Sequence, residues 1–127
     1  MRYLLDTCSF LWLAEGNERL SVTAREVIKD PVNEGVVSVV SLWELSMKAV
    51  VGKLPMPLPP ALLAKHASSQ GLDVLSMTVA HVEIFHALPT VHRDPFDRLL
   101  AAVALHESLS IISPDTALDT LGVKRLW

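Results

Sequence analysis

The chain is short of several things, and each shortage excludes a class of protein. It has one cysteine, Cys8, so neither an internal disulfide nor a multi-cysteine zinc site can form. It has no apolar run fit to span a membrane. The greasiest region, "VVSVVSLWELSMKAVV" from Val36 to Val51, carries Glu44 and Lys48, and it falls short of the ~18 uninterrupted apolar residues that a span needs. The N-terminus lacks a basic flank, a long apolar stretch and a cleavage site, so no secretion signal is expected. These features together point to the cytoplasm. Positive charge is not in excess either. Lys and Arg number 11 against 14 Asp and Glu, a formal charge of −3. That balance argues against binding nucleic acid through a broad basic face.

What is present is apolar: half of the 127 residues are hydrophobic and the mean hydropathy is +0.37. Residues 1–127 fit one domain with one real core. The surplus apolar surface is either buried or handed to a partner. The densest irregular stretch, "GKLPMPLPP" (Gly52 to Pro60), holds four prolines and reads as a loop between helices.

Short apolar runs alternate with helical patterns. Strands are expected at Arg2–Leu5, Val36–Val40, Asp73–Leu75 and Leu109–Ser113, with an edge strand at Val123–Leu126. Helices are expected at Ser9–Ala14, from a Ser21 or Thr23 cap to Lys29, from a Ser41 cap to Val51, and at Pro60–Ser69, Thr78–Ala87 and Pro95–Glu107. A last helical turn follows at Thr116–Leu121. The pattern is that of an α/β fold, a short, mostly parallel sheet flanked by helices in three layers.

In such sheets, sites form beyond the carboxyl ends of the strands. Asp6 follows the first strand, and Asp115 follows "LSIIS" by two residues. Glu44 falls in the first turn of the helix behind the second strand. Asp97 falls in the first turn of "PFDRLLAAVALHE". The four are therefore expected to face one cleft. Four carboxylates there would repel and raise one another's pKa unless a divalent cation joined them. All-oxygen donors favour Mg²⁺ or Mn²⁺ over zinc.

Each acid also has a plainer reading. Asp6 suits a helix cap, and Glu44 suits an i,i+4 pair with Lys48. Asp94, before Pro95, suits an N-cap, Asp97 then suits the N3 position, where a carboxylate helps the helix dipole, and Asp115 suits a turn. The shared address of the four is what favours a site.

These segments, "YLLDTCSFLWL", "VSVVSLWELSMKAVVGKL", "LPTVHRDPFDRLLAAVALHE", "LSIISPD" and "GVKRLW", resemble the PIN-domain family in its own order, and within it the VapC-type toxins of bacterial toxin–antitoxin pairs. The resemblance implies a single PIN-like nuclease domain with an α/β/α fold that cuts RNA with Mg²⁺ or Mn²⁺. It implies that Asp6, Glu44, Asp97 and Asp115 are both the catalytic residues and the metal ligands, Asp115 directly or through water. Hydrolysis would leave a 5′-phosphate, and a second ion would join with the substrate. Thr7, Ser9, Ser113 and Asp94 take supporting places. Arg93 and Arg98 flank the acids as candidates for RNA contact, and His92 could touch a phosphate. Cys8 departs from the residue more usual beside the first Asp and reads as packing.

Without the four site acids the formal charge moves from −3 to +1, so a nuclease with few backbone contacts remains compatible with the composition. The other histidines, His66, His81, His86 and His106, read as structural or exposed. The family's partners would be RNA, a cognate antitoxin and a second copy of the chain. "PMPLPPALLAKHA" and the first helices, with Leu11, Trp12 and Leu20, are candidate ground for these proteins. Trp43 reads as core.

Three rivals compete. A phosphatase of the haloacid-dehalogenase kind wants an acid where Cys8 stands. A phospho-receiver wants adjacent acids after the first strand and a late lysine after a strand. A catalytically silent PIN-like binding module would not need the acid quartet.

Overall fold

Alternation in the first strand sets the layers. In β1 (Arg2–Leu5), Tyr3 and Leu5 join one buried cluster while Leu4 joins another, because successive side chains leave a strand on opposite faces. The computed structural model describes residues 1–54, 59–90 and 94–127. It adds β2 (Glu34–Ser38), β3 (Asp73–Leu75), β4 (Ser110–Ile112) and β5 (Arg125–Leu126). The five strands are parallel, in the order β3-β2-β1-β4-β5. The helices are α1 (Thr7–Glu15), α2 (Val22–Lys29), α3 (Val39–Val50), α4 (Pro60–Ser69), α5 (Val79–Ala87) and α6 (Pro95–Glu107), followed by a 3₁₀ turn at Thr116–Leu121. Among the described residues no helix is long and apolar enough to cross a membrane.

One core lies between the sheet and α1, α2 and α4, with Phe10, Ala24, Val37, Leu63, Ala67 and Ile112. The other lies beneath α6 and the 3₁₀ turn, with Val36, Leu100, Val103, Ile111 and Leu118. Side-chain oxygens start the helices. Asp6, Ser21, Ser38, Thr78 and Asp94 each accept a backbone N–H of the first turn, and each such cap is worth about 1 kcal/mol. Gly16 closes α1 at φ +64°, a left-handed turn that suits glycine.

Four sequence expectations are corrected. The second strand ends at Ser38, two residues early, because the Ser38 hydroxyl accepts the Val40 N–H and turns the chain into α3. Ser41 is therefore not the cap; it is buried inside α3 and accepts a hydrogen bond from Thr7 Oγ1 at 3.0 Å. Glu44 consequently sits in the second turn. Trp43 is not core: it is 57% exposed and meets Phe96 edge-on, with ring centroids 5.1 Å apart.

Gly35 is the tightest point of the sheet. A Cβ there would run into the ring and hydroxyl of Tyr3 and a methyl of Leu72, all buried. Gly35→Ala should therefore cost about 2–3 kcal/mol by overpacking, read as a lowered urea midpoint with unchanged m-value.

Candidate active site

From β1 the chain builds outward through β2 and β3, then returns to the other side of β1 for β4 and β5. The carboxyl ends of β1 and β4 thus meet where the order reverses, the place at which open α/β sheets hold their sites. Asp6 stands at that point. Its N–H donates to Ile112 O at 3.1 Å, extending the ladder by one residue.

A cleft of about 270 Å³ opens there. Asp6, Glu44, Asp97 and Asp115 all line it, and so does Asp94. Thr7, Cys8 and Lys48 complete its polar wall, with Leu11, Leu45 and Leu54 as the apolar part. The four acids expected to share an address do share it.

The plainer readings hold as well, on other atoms or in the same carboxylates. Asp6 caps α1, its Oδ1 accepting from Ser9 N at 2.8 Å. Cys8 Sγ donates to the same carboxylate at 3.4 Å. Burial pushes the Asp6 carboxyl up from its ordinary value. Hydrogen bonds from Ser113, Ser9 and Cys8 offset only part of that. Asp94 caps α6, accepting from Phe96 N at 2.9 Å and from Asp97 N at 3.4 Å. Asp115 caps the 3₁₀ turn through Ala117 N. Capping thus fixes the backbone while leaving a carboxylate at the cleft wall.

Glu44 differs from the others. It is buried, and its Oε2 accepts from Lys48 Nζ at 2.8 Å. Its Oε1 is buried with no hydrogen-bond partner among the described residues. A buried carboxylate oxygen left in this state is costly, and a cation in the cleft would satisfy it. The donor set is oxygen throughout, apart from the Cys8 thiol. Burial first, then the Asp6 charge, pushes that thiol up to about 12, so it stays protonated. The residues fit a hard divalent ion. Among the described residues, the cleft carboxylates form no group of three with ligand oxygens all within 4.8 Å of one another.

Several expectations are redirected. Cys8 is more than packing, since it lines the cleft and bonds to Asp6. Thr7 Oγ1 donates to Ser41, tying α1 to α3. Ser9 Oγ donates to Ile112 O, and Ser113 Oγ accepts from Asp115 N. Both serines also favour the charged form of the Asp6 carboxylate. Arg98 is not among the residues that line the cleft. Its guanidinium donates to Phe85 O and Leu88 O at 3.3 and 3.1 Å and lies 4.6 Å from the Phe85 ring centre. It clamps α6 to the end of α5. Arg93 and His92 lie outside the described residues, as do the first four residues of "PMPLPPALLAKHA".

A second group of ligand-type atoms, on His81, His106 and Glu107, does lie within 4.8 Å. It does not make a metal site. His81 Nδ1 accepts the Thr78 N–H at 3.0 Å, so the ring proton sits on Nε2, which faces Glu107 Oε1 at 2.9 Å. A nitrogen carrying that proton has no lone pair for a metal.

Sequence reasoning missed Lys48 as a cleft residue. Its signal was the i,i+4 spacing from Glu44, which also describes an ordinary surface pair.

A family model for the PIN domain matches residues 3–124. The chain belongs to the PIN-domain family. PIN domains are typically metal-dependent nucleases. Solved structures similar to this PIN domain come from toxin–antitoxin complexes. VapBC2 from Rickettsia felis, bound to a DNA fragment from its promoter, aligns with TM-score 0.72 and 15% identity, covering 99% of this chain and 98% of that one. VapBC-1 from nontypeable Haemophilus influenzae aligns with TM-score 0.65 and 17% identity, covering 99% and 97%. VapBC-5 from Mycobacterium tuberculosis gives 0.64 and 17%, covering 98% of each chain. At these identities the likeness is one of fold. No curated protein matches the chain significantly in sequence.

Proposed function

We propose that this PIN domain is a divalent-metal-dependent endoribonuclease, the toxin of a type II toxin–antitoxin pair. The observation that carries the reading is the unpartnered, buried Glu44 Oε1 in a cleft that four aspartates share. Asp6, Glu44 and Asp97 would hold Mg²⁺ or Mn²⁺, with Asp115 directly or through water. When bound, the ion supplies positive charge for a phosphate oxygen and acidity for a water.

The chain's own residues set the stage for that chemistry. The Ser9 N–H orients the Asp6 carboxylate, and Ser113 and Ser9 favour its charged form. Asp94 fixes the first turn of α6, and with it the backbone of Asp97. Thr7 and Ser41 pin α1 against α3, which holds Asp6 and Glu44 on facing walls. Leu11, Leu45 and Leu54 exclude water from one side.

The partners are RNA, a cognate antitoxin and a second copy of the chain, in the cytoplasm, with residues 1–127 acting as one nuclease domain. The similar structures of toxin–antitoxin complexes support the antitoxin. So does an open groove of about 380 Å³ between α1, α2 and the end of α4, lined by Trp12, Leu13, Leu20 and Ile28.

The test is cleavage of total RNA and of single-stranded oligonucleotides by the purified chain. Cutting should occur with Mg²⁺ or Mn²⁺ and stop with EDTA. A folded, antitoxin-free protein that cuts nothing across the panel, and binds neither metal by calorimetry, would instead be a silent binding module.

A further inference from the structure

We infer that Lys48 is a substrate-contacting residue, whose ammonium holds an RNA phosphate at the mouth of the acid cleft. The inference rests on the nuclease reading above and deepens it by naming what grips the substrate's charge.

Lys48 is the one basic side chain lining the cleft among the described residues. Its side chain is 43% exposed, whereas that of its partner Glu44 is 7% exposed. The pair is therefore not a surface decoration. One member is part of the cleft wall and the other stands at the opening. An ammonium carries three donors, and Glu44 Oε2 takes one of them at 2.8 Å. The remaining two make no hydrogen bond among the described residues, and the side chain that carries them lines the cleft.

The electrostatics of the cleft call for such a group. Asp6, Glu44, Asp94, Asp97 and Asp115 present five carboxylates to a polyanion. A divalent ion cancels part of that field, and a phosphate approaching the remainder needs a cation on the solvent side. Lys48 is placed for it, four residues along α3 from the acid that would hold the ion. Residing on Glu44 in the free protein, it also orients that carboxylate before metal and RNA arrive.

The experiment compares the wild-type chain with Lys48→Gln and Lys48→Arg. Each binds a fluorescein-labelled single-stranded RNA of mixed sequence in Ca²⁺, followed by anisotropy across a salt series, and calorimetry gives Mg²⁺ binding without RNA. Lys48→Gln should weaken RNA binding about 3–10-fold and flatten the plot of log K against log salt by about 0.7, the value of one phosphate contact on a single strand. Lys48→Arg should restore the slope. Mg²⁺ binding should be no weaker in Lys48→Gln, since the variant removes a competing cation from Glu44. An unchanged slope in Lys48→Gln overturns the proposal while the nuclease reading stands, because a merely structural i,i+4 pair has no salt signature in RNA binding. Weaker Mg²⁺ binding in Lys48→Gln overturns it too, assigning the lysine to Glu44 alone. Wild-type protein that binds no RNA removes the nuclease reading and this role with it.

Discussion

Asp6→Asn should lower metal-dependent RNA cleavage by about 10³-fold, the equivalent of several kcal/mol of charge stabilisation lost at the metal. It should also raise the melting temperature of the metal-free protein at neutral pH. The two effects share one cause. Asparagine caps a helix as well as aspartate does, so the bond from Ser9 N survives the change. What disappears is a buried negative charge.

Burial raises the Asp6 carboxyl above its unfolded value. Between the ordinary carboxylate pKa and that raised one, the native state binds more protons than the unfolded state, so stability falls as pH rises through the window. Above the window the full penalty is present. Wild-type stability should carry this step in urea titrations at successive pH values, and the Asn variant should lack it. Cys8 provides an independent readout. Its thiol stands at about 12, through burial and then through the Asp6 charge, so removing that charge should speed its reaction with a thiol reagent at mildly alkaline pH. A variant that is inactive but also less stable would mean that Asp6 serves mainly as a cap.

His81→Ala should be the most damaging single truncation outside the cleft, costing about 3–5 kcal/mol. On a chain of this size that corresponds to roughly 10–15 °C in Tm. The ring is fully buried, accepts the Thr78 N–H on one side and meets Glu107 on the other. With the His81 N–H bonded back to Thr78 Oγ1, it completes a capping box at the start of α5. Its loss opens a cavity, orphans a backbone N–H and frees α5 from α6 at once. His81→Asn should recover part of the loss, since an amide oxygen can still accept the Thr78 N–H. Zn²⁺ should leave the wild-type Tm unchanged, and a rise with Zn²⁺ would instead give His81, His106 and Glu107 a metal.

Legibility in the sequence tracked how local the deciding interaction was. The bounds of α4 and α6 could be read because proline opens each and a left-handed residue, Gly71 or Ser108, follows the last turn. The junction of β2 and α3 could not. Val36, Val37, Val39 and Val40 form one β-branched run, and the choice of Ser38 over Ser41 as cap was made by Thr7, which recruits Ser41 from thirty-four residues away. The shared cleft of Asp6, Glu44, Asp97 and Asp115 was legible from topology, because strand ends in a parallel sheet share an edge.

The directions of individual side chains were not legible. Arg98 turns to Phe85, and Trp43 stays at the surface beside Phe96. Sequence pattern marks α3 as apolar nearly all round but does not say which of its faces another element covers. Lys48 was visible as a spacing, and only the burial of Glu44 beside it distinguishes a cleft from a solvated helix.

The central strand of the sheet precedes the other four in chain order, and its partner on one side is fourth of the five. Leu5 pairs with Ile112, and Asp115 lies beyond that. At translation rates of about 5–20 residues per second, a nascent chain spends roughly 5–20 s with β1 made and β4 absent. Throughout that interval one edge of β1 is open and the acid cleft lacks a wall. The acid cleft is therefore not assembled until β4 has been made. The same gap is the period in which the exposed edge of β1 is open to pairing with another strand, so slowing elongation through residues 40–110 should increase aggregation of the product without altering its final stability.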